Sequence, residues 1–376
     1  MHVWLINPYG PIPGEGWRDY RFTYQARALA KRGHDVIWWT AAFNHHNKRY
    51  RAHDWERRDG DGYTIQLVPT PSYLRNISVR RLLFEWTFAR NVVLRGRTLR
   101  PPDVILAADP PQFCGAAGRK LAGVHHARLV LDCFDLWPEL FVNAAPRLLR
   151  PLVNLAVQPL RSMRRRNLRA ASLVIAVADP YRDALVREGA RNAITIPIGV
   201  DPTELRTARI PHERLTLVYA GSLGEHYDLT TLLDALRGLD AELVIAGQGP
   251  SEARLRREAP SNVRFAGVLG TEELKRLYAS ADIGLAPYVA ASIVALPTKL
   301  FDYLAAGLPV ITSLDIDLYG AGERYAAGDA ASLRDAIARV AMNRAAMSQA
   351  AGRAAVQFDA RVLYERFADA IEAVAR

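Results

Sequence analysis

Short apolar runs alternate with longer, mixed segments along both halves of the chain. In the first half, these runs predict strands at 3–6, 36–40, 64–68, 104–107, 129–131 and 173–176. In the second half, the same pattern predicts strands at 215–219, 242–246, 263–265, 283–286 and 309–311, and helices at 229–236, 251–258, 271–279 and 298–305. Short strands separated by helices are typical of a parallel, doubly wound sheet. The pattern therefore predicts two α/β domains.

Prolines and polar residues gather at 197–211, between the two sets of strands. Such a composition is typical of a domain boundary. We therefore expect an N-terminal domain at 1–200, a C-terminal domain at 201–355 and a last helix, at 356–376, that crosses back to the N-terminal domain.

The composition limits the class of protein. Half of the 376 residues are hydrophobic, so each half can bury a core. The longest stretch without a charged side chain, 283–298, is too short and too broken by proline to span a bilayer. The N-terminus predicts no signal peptide, and two cysteines, Cys114 and Cys133, are too few for a disulfide framework or a metal cluster. These features predict a cytoplasmic protein.

Charge is distributed unevenly between the halves. Residues 1–190 contain 29 Lys and Arg against 16 Asp and Glu, whereas 191–376 contain 20 against 23. A basic half predicts contact with something anionic: a membrane face, a nucleic acid or a charged substrate. The alternative is a set of arginines that only keeps the surface soluble.

Five of these arginines crowd one segment with Leu and Met between them: Arg161, Arg164, Arg165, Arg166 and Arg169. A basic, partly amphipathic helix suits a peripheral position at the inner face of the cell membrane, where anionic lipid attracts it. A solvated helix face is the alternative.

Two glycine turns follow strands of the second half. Gly221 and Ser222 follow its first strand, and Gly247 and Gly249 follow its second. Ligands of parallel sheets bind beyond the carboxyl ends of the strands, where glycine lets backbone amides approach a phosphate. A tight turn explains the same glycines, so both interpretations stay open.

A lysine and a carboxylate begin the helix predicted at 298–305. Lys299 and Asp302 are three residues apart, hence on one face of that helix. The ammonium can neutralise a diphosphate, while the carboxylate accepts hydrogen bonds from two neighbouring ribose hydroxyls. A weak, exposed ion pair is the alternative; the flanking prolines and Gly307 argue against it.

In this order, the motifs resemble the C-terminal domain of retaining glycosyltransferases of family 4. The resemblance covers most of 213–376 and, more loosely, the first half, where 132–139 reads Asp-Cys-Phe-Asp-Leu-Trp-Pro-Glu, similar to bacterial surface-polysaccharide transferases of this family. It implies the GT-B fold: two doubly wound, Rossmann-like α/β domains facing a cleft. It also implies transfer of a sugar, with retention, from a UDP- or GDP-type donor to a lipid-linked or polysaccharide acceptor.

The resemblance assigns donor binding to residues of the last motif. Asp302 matches the second acidic residue of the family's Glu-x7-Glu motif, which binds the donor ribose. Lys299, a candidate catalytic residue, lies where a subgroup has a Pro-x-Lys pattern near the diphosphate. The first acidic residue of the family motif falls on Val294, so recognition of the donor sugar departs from the usual one.

The glycine turns also match family motifs. Gly221 and Ser222 match a Gly-Arg turn that contacts phosphates, and Gly247 and Gly249 match the Gly-x-Gly loop of the nucleotide pocket. Because Ser222 replaces the arginine, neutralisation of the donor charge is expected to rest on Lys299 and backbone amides.

Polar residues of the first half are candidates for the acceptor side. Glu15, Arg18 and Asp19 follow the first strand, and Asp135 follows a later one. We expect Asp135 to be the polar, catalytic group near the reacting centre. A cap on the turn before Trp137 is the alternative.

No cofactor and no metal are expected, because no carboxylate pair and no His/Cys spacing suggests one. Two other functions stay open. A nucleotide-sugar epimerase of the same fold would act on the donor without an acceptor. A basic nucleic-acid-binding protein would explain the charge, but the first half has no zinc-finger spacing, aromatic RNA-binding signature or obvious helix-turn-helix.

Overall fold

The computed structural model describes residues 1–16, 18–76, 78–139, 142, 145, 147–292, 294 and 297–376. The chain forms two compact units. The first comprises Met1–Pro197 and Leu363–Arg376, and the second comprises Ile198–Val362. Among the described residues, no helix has both the length and the apolar character needed to cross a membrane.

The first unit is built on one large sheet. Its strands are β1 (His2–Ile6), β2 (Asp35–Ala41), β3 (Glu56–Asp59), β4 (Thr64–Val68), β5 (Val104–Ala108), β6 (Arg128–Cys133), β7 (Leu173–Ala176) and β8 (Ala193–Thr195). They are arranged in the order β3-β4-β2-β1-β5-β6-β7-β8. β3 pairs antiparallel with β4, and the other described pairs are parallel. Every residue of β1 and β5 is buried, as expected for central strands covered on both faces.

The described α-helices in the first part of this unit are α1 (Arg21–Lys31), α2 (Val79–Gly96), α3 (Gln112–His125), α4 (Arg150–Ala156), α5 (Gln158–Ala170) and α6 (Asp179–Glu188). A buried ion pair fixes α1 on the sheet. Arg21 donates to both carboxylate oxygens of Asp132 on β6, at 2.6 and 2.7 Å, and both side chains are almost fully buried. The same guanidinium donates to the carbonyl of Ile196, where the unit ends. Removal of either charge would leave the other buried without an opposite charge, which is strongly destabilising.

The arginine-rich segment forms α5, and its arginines have different surroundings. Arg164 is only 2% exposed and donates to the Trp137 carbonyl and to Glu188. The expectation that all five arginines form one basic surface is therefore wrong for Arg164, which stabilises the unit internally. Arg165 and Arg166 are exposed.

The second unit has a smaller, wholly parallel sheet among its described strands. They are β9 (Thr216–Ala220), β10 (Glu242–Ala246), β11 (Val263–Gly267), β12 (Ile283–Ala286), β13 (Val310–Thr312) and β14 (Gly322–Arg324). Their order is β11-β10-β9-β12-β13-β14. The chain builds outwards from β9 in one direction and from β12 in the other, so β9 and β12 enclose the topological switch point where such sheets bind ligands.

The remaining helices are α7 (Pro202–Leu205), α8 (Leu229–Leu236), α9 (Glu252–Glu258), α10 (Thr271–Ala279), α11 (Thr298–Ala305), α12 (Ala330–Ala355) and α13 (Ala360–Ala375). α13 begins in the second unit, and from Leu363 onwards it belongs to the first. Each strand and helix predicted above from the apolar pattern is present, with ends that shift by at most two residues.

The pattern of apolar runs did not predict three of the described strands: β3, β8 and β14. Each lies at an edge of its sheet. β3 reads Glu-Arg-Arg-Asp and β14 reads Gly-Glu-Arg. An edge strand is partly solvated, and charged side chains there discourage pairing with other chains. An apolar run is therefore a poor signal for such strands.

Candidate functional site

The switch point of the second unit is organised by Tyr303, on α11. β9 and β12 share two residue pairs, and beyond these pairs the Tyr303 hydroxyl lies between the strands. Ala220 N–H of β9 donates to this hydroxyl at 3.1 Å, and the hydroxyl donates to the Leu285 carbonyl of β12 at 3.1 Å. The hydroxyl thus takes the place of direct pairing between these groups, at the carboxyl edge where such sheets bind ligands.

Gly284 of β12 makes room for this arrangement. A Cβ at this position would lie 2.4 Å from Cγ of Tyr303, far inside contact distance. The ring is fully buried, and burial raises the pKa of Tyr303 well above its usual value. The hydroxyl therefore keeps its proton as a neutral link between the two strands.

Lys299 lies in the first turn of α11, near this edge of the sheet. Its side chain is only 7% exposed, and its ammonium lies beside the Gly221 turn that follows β9. A Cβ added to Gly221 would lie 2.7 Å from the ammonium nitrogen, so a larger residue here would displace the ammonium from its place. Among the described residues, the ammonium has no hydrogen bond and no ion pair. The exposed Lys299–Asp302 pair that the sequence left open is thus not formed.

Three aromatic rings surround this ammonium. Its nitrogen lies 4.0 Å from the ring centre of Tyr227, 5.2 Å from that of Tyr219 and 5.7 Å from that of Tyr288. The faces of aromatic rings attract a cation by about 0.5–2 kcal/mol without neutralising its charge. We call Tyr219, Tyr227 and Tyr288 the tyrosine cage. The cage orients the ammonium and leaves its charge available to an anion.

The two glycine turns pack against each other backbone to backbone. A Cβ on Gly247 would lie 1.8 Å from the Gly221 carbonyl oxygen, and one on Gly249 would lie 2.5 Å from that of Leu223. The Gly221 N–H donates to Ala246 O at 2.9 Å, and the Gly247 N–H donates to the carbonyl of Gly267 at 2.6 Å. These two amides are thus engaged within the sheet edge, and the glycines are required here by close packing.

Ser222 is the exposed residue of the first turn. Its carbonyl accepts a hydrogen bond of 2.5 Å from the Tyr219 hydroxyl, which ties the turn to the tyrosine cage. Asp302 is 9% exposed and lies on α11 one turn after Lys299. Val294 N–H donates to the Ser292 hydroxyl at 3.4 Å, and neighbours of Val294 lie outside the described residues.

The acceptor-side candidates of the first unit are engaged in its internal contacts. Glu15 accepts bonds from Arg51 at 2.7 and 2.8 Å and from Asn44 at 3.0 Å, and these contacts lower its pKa. Asp19 forms an ion pair of 2.5 Å with Arg27. Arg18, between them in sequence, is half-buried. Glu15 and Asp19 therefore fix the loop after β1.

Asp135 follows β6 and accepts a hydrogen bond of 2.8 Å from Leu136 N–H. This is the local turn contact that the sequence offered as the alternative to a catalytic role. Burial raises the pKa of Asp135, which makes it a better proton acceptor than an exposed aspartate. Both roles thus remain compatible with its position.

Sequence reasoning missed the tyrosines. Tyr219, Tyr227 and Tyr288 come from three separate segments, and only packing brings them around Lys299. The available signal was a tyrosine at or after both switch-point strands, at 219 and 288.

Two family models match this chain. The model described as Glycosyltransferase Family 4 matches residues 21–204, and the model described as Glycosyl transferases group 1 matches residues 214–343. A curated relative from Mycobacterium tuberculosis, named GDP-mannose-dependent alpha-(1-6)-phosphatidylinositol dimannoside mannosyltransferase, is 35% identical over 35% of this chain. The matched segment spans only 38% of that relative's length.

Solved structures resemble the chain over its whole length. Sucrose-phosphate synthase from Thermosynechococcus elongatus has a TM-score of 0.71 at 16% identity, covering 100% of this chain and 96% of its own. Trehalose 6-phosphate synthase from Burkholderia multivorans has a TM-score of 0.71 at 15% identity, covering 100% and 98%. An Anabaena protein solved with UDP and glucose has a TM-score of 0.67 at 17% identity, covering 99% and 100%. Likeness at such identities shows the fold alone.

Proposed function

The chain belongs to glycosyltransferase family 4 and has the GT-B fold, and from this premise we propose that it transfers a sugar from a nucleotide diphosphate-sugar to a lipid-linked or polysaccharide acceptor, with retention. The observation that carries the proposal is the Lys299 ammonium, held at the switch point without a carboxylate partner among the described residues. The names of two similar proteins, which mention GDP-mannose and UDP, support a GDP- or UDP-type donor.

Lys299 suits the chemistry of donor cleavage. When the bond from the sugar to the diphosphate breaks, negative charge develops on the leaving oxygen. A fixed ammonium near that oxygen stabilises the charge without reorganising during the reaction. The tyrosine cage supplies this fixation, because its three rings lie 4.0, 5.2 and 5.7 Å from the cation. We propose that this charge, and not a divalent metal, balances the diphosphate.

Asp302 is proposed to bind the donor ribose. A carboxylate accepts two hydrogen bonds from neighbouring hydroxyls, and such bonds to a charged group are stronger than neutral ones. Its place on the same helix as Lys299 fits a nucleotide whose diphosphate and ribose are a few ångströms apart.

The first unit is proposed to lie against an anionic membrane. α4 has no buried residue, and the leucines at and before it are strongly exposed: Leu148 at 93%, Leu152 at 66% and Leu155 at 71%. Exposed leucines of α4, followed along the chain by the exposed Arg165 and Arg166 of α5, favour a lipid surface, which takes up apolar side chains and attracts cations. A position at a membrane would bring the enzyme to a lipid-linked acceptor.

A donor screen tests the function. UDP-, GDP- and TDP-sugars are added to the protein and its thermal unfolding is followed, since a ligand that binds only the folded state raises stability. One nucleotide class should stabilise the protein equally with and without a chelator. Lys299→Gln should lose this stabilisation, whereas Lys275→Gln, the same change on α10, should keep it. The stabilising donor is then incubated with lipid extract, and NMR of the product gives the anomeric configuration. Stabilisation by no nucleotide sugar, or loss of it with the chelator, contradicts the proposal.

A further inference from the structure

A second cluster of polar and charged side chains lies at the carboxyl ends of β1, β2 and β4 in the first unit. The sequence assigned none of its members to a binding site. Its main residues come from three loops and the start of α2: Tyr9, His45, Lys48, Tyr73, Asn76, Arg81 and Glu85. Ligands of parallel sheets bind at this edge, so the cluster has the position of a binding site.

Lys48 is the cation of this cluster that lacks a carboxylate partner among the described residues. Its ammonium donates to Asn76 Oδ1 at 2.7 Å and lies 4.3 Å from the ring centre of Tyr73. His45 Nδ1 is 3.5 Å away, and burial lowers the pKa of His45 to about 3, so this histidine is neutral at pH 7. Burial and Arg81 lower the pKa of Lys48 to about 8, so the ammonium is still mostly protonated at pH 7.

Arg81 adds a second positive charge to the cluster, and one carboxylate pairs with it. Its guanidinium donates to Glu85 at 3.0 Å, and the Glu85 carboxylate is almost fully buried. The Tyr9 hydroxyl accepts from Arg81 at 3.1 Å and donates to Glu85. Two cations and one carboxylate leave the cluster with an excess positive charge, at Lys48.

The backbone of Lys48 is held in an uncommon conformation. Its φ of 57° lies in the left-handed region, which residues other than glycine adopt at some cost. The Lys48 N–H donates to the Asn44 carbonyl at 3.0 Å, which closes the turn. A glycine would fit this turn more easily, so the lysine is present for its side chain and not for the turn.

Exposed apolar side chains lie near members of this cluster along the chain. Leu74 is 80% exposed and follows Tyr73, Val79 is 81% exposed and begins α2, and Leu82 and Leu83 are 41% and 49% exposed. The first two lie within three residues of Asn76, the partner of Lys48. An exposed apolar surface beside an unmatched cation is complementary to an amphiphile with an anionic head.

We infer that Lys48 and Asn76 bind the phosphate of an amphiphilic acceptor whose hydrocarbon part lies against Leu74, Val79 and Leu82. The inference rests on the proposed function, because it gives the acceptor of that reaction a chemical class: a lipid that carries a phosphate. Lys48 provides the charge, Asn76 Nδ2 provides a second donor, and the exposed apolar residues provide the contact with the lipid chain.

The probe is decyl phosphate below its micelle-forming concentration, with decanol and inorganic phosphate as its two halves, and binding is measured by calorimetry. Decyl phosphate should bind more tightly than either half. Lys48→Gln and Asn76→Asp should weaken it roughly tenfold, the usual effect of losing or opposing one charged contact. Lys31→Gln, which removes an exposed lysine of α1, is the matched control and should bind normally.

Lys48→Gly separates loss of binding from loss of folding. Glycine accepts the left-handed turn, so this variant should be at least as heat-stable as the parent and still lose decyl phosphate. Binding by Lys48→Gly or Lys48→Gln equal to the parent overturns the inference, as does parent binding of inorganic phosphate as tight as that of decyl phosphate. Nucleotide-sugar binding is measured on the same samples. If the parent binds a nucleotide sugar but not decyl phosphate, only the acceptor site is refuted. If the parent binds no nucleotide sugar, the proposed function is refuted.

Discussion

The Lys299 ammonium lies 4.0 Å from the ring centre of Tyr227, closer than to any other described ring. Tyr227 also contacts the other two members of the cage, at 5.8 Å from Tyr219 and 5.1 Å from Tyr288 between ring centres. A single tyrosine thus connects the cation with both switch-point strands.

Replacement of this ring tests the cage. Tyr227→Leu keeps an apolar side chain but removes the aromatic face. The oriented Lys299 ammonium then loses about 1 kcal/mol of cation–π stabilisation, so a nucleotide diphosphate should bind about fivefold more weakly. Tyr227→Phe keeps the face and is the control, expected to bind like the parent. Calorimetric titration with the stabilising nucleotide measures both. Equal affinity of the Leu and Phe variants would show that the cage does not matter.

Asp302→Asn should weaken nucleotide binding while the fold stays intact. The loss of charge-assisted bonds to the ribose hydroxyls is expected to cost about 1.5–3 kcal/mol. Asp335→Asn, at an exposed position of α12, serves as the control for the loss of one carboxylate. Titration with the nucleotide and with its 2′,3′-dideoxy form measures the effect. The parent should prefer the natural nucleotide, and an Asp302→Asn variant with the same preference would refute the assignment.

Tyr303→Phe should destabilise the second unit. Without the hydroxyl, Ala220 N–H and Leu285 O lose their buried partner, at a cost of about 1–3 kcal/mol. Tyr325→Phe is the control, because it also removes a buried tyrosine hydroxyl, one whose hydrogen bond to Asp228 is long, at 3.5 Å. Urea unfolding followed by circular dichroism measures both variants. No difference between them would mean that the hydroxyl does not hold the strands.

The first unit should lose stability as the pH rises from about 4 to 7, and Asp109 is one cause. Burial raises the pKa of Asp109 to about 7, against a smaller opposing effect of Arg164. The unfolded chain releases this proton near pH 4 and the folded chain keeps it to about pH 7, so between these values the folded state binds more protons and higher pH favours unfolding.

Asp109→Asn removes this dependence. The free energy of unfolding of the parent should fall between pH 5 and 8, and that of the variant should fall by about 2–3 kcal/mol less. Each unit of difference between the folded and unfolded pKa is worth about 1.4 kcal/mol. All seven tryptophans lie within 1–197, so their fluorescence reports on the first unit during urea unfolding. An unchanged slope with pH would contradict the raised pKa.

Leu152→Ser with Leu155→Ser should weaken binding to anionic liposomes. Each exposed leucine contributes up to about 1.5–3 kcal/mol when it enters an apolar phase, and the basic surface adds an electrostatic part. Binding of the parent should also fall with salt, as the screening length shortens from about 10 Å at 0.1 M to about 3 Å at 1 M. Met342→Ser, at an exposed position of the second unit, is the control. Co-sedimentation with the liposomes measures binding. If the parent does not bind anionic liposomes at low salt, the membrane proposal is ruled out.

The amino-acid sequence determined the elements that repeat a local pattern. Central strands are buried on both faces, so their apolar runs can be recognised from the sequence alone. The helix at 298–305 was predicted with the bounds that it has. The order of the motifs also identified the family. Edge strands were invisible, because solvent on one side permits charged residues such as Arg57 and Arg58 in β3.

Only the tertiary structure decided which groups meet. Lys299 and Tyr219 are 80 positions apart, and the order of the strands brings them together. The same packing buries Arg164 and engages the amides of Gly221 and Gly247 with carbonyls of the sheet edge. A sequence pattern records which residues avoid water, since burial repeats with the period of the helix or strand. The partner of a lysine or an amide depends instead on the distance between separate elements, which no local period contains.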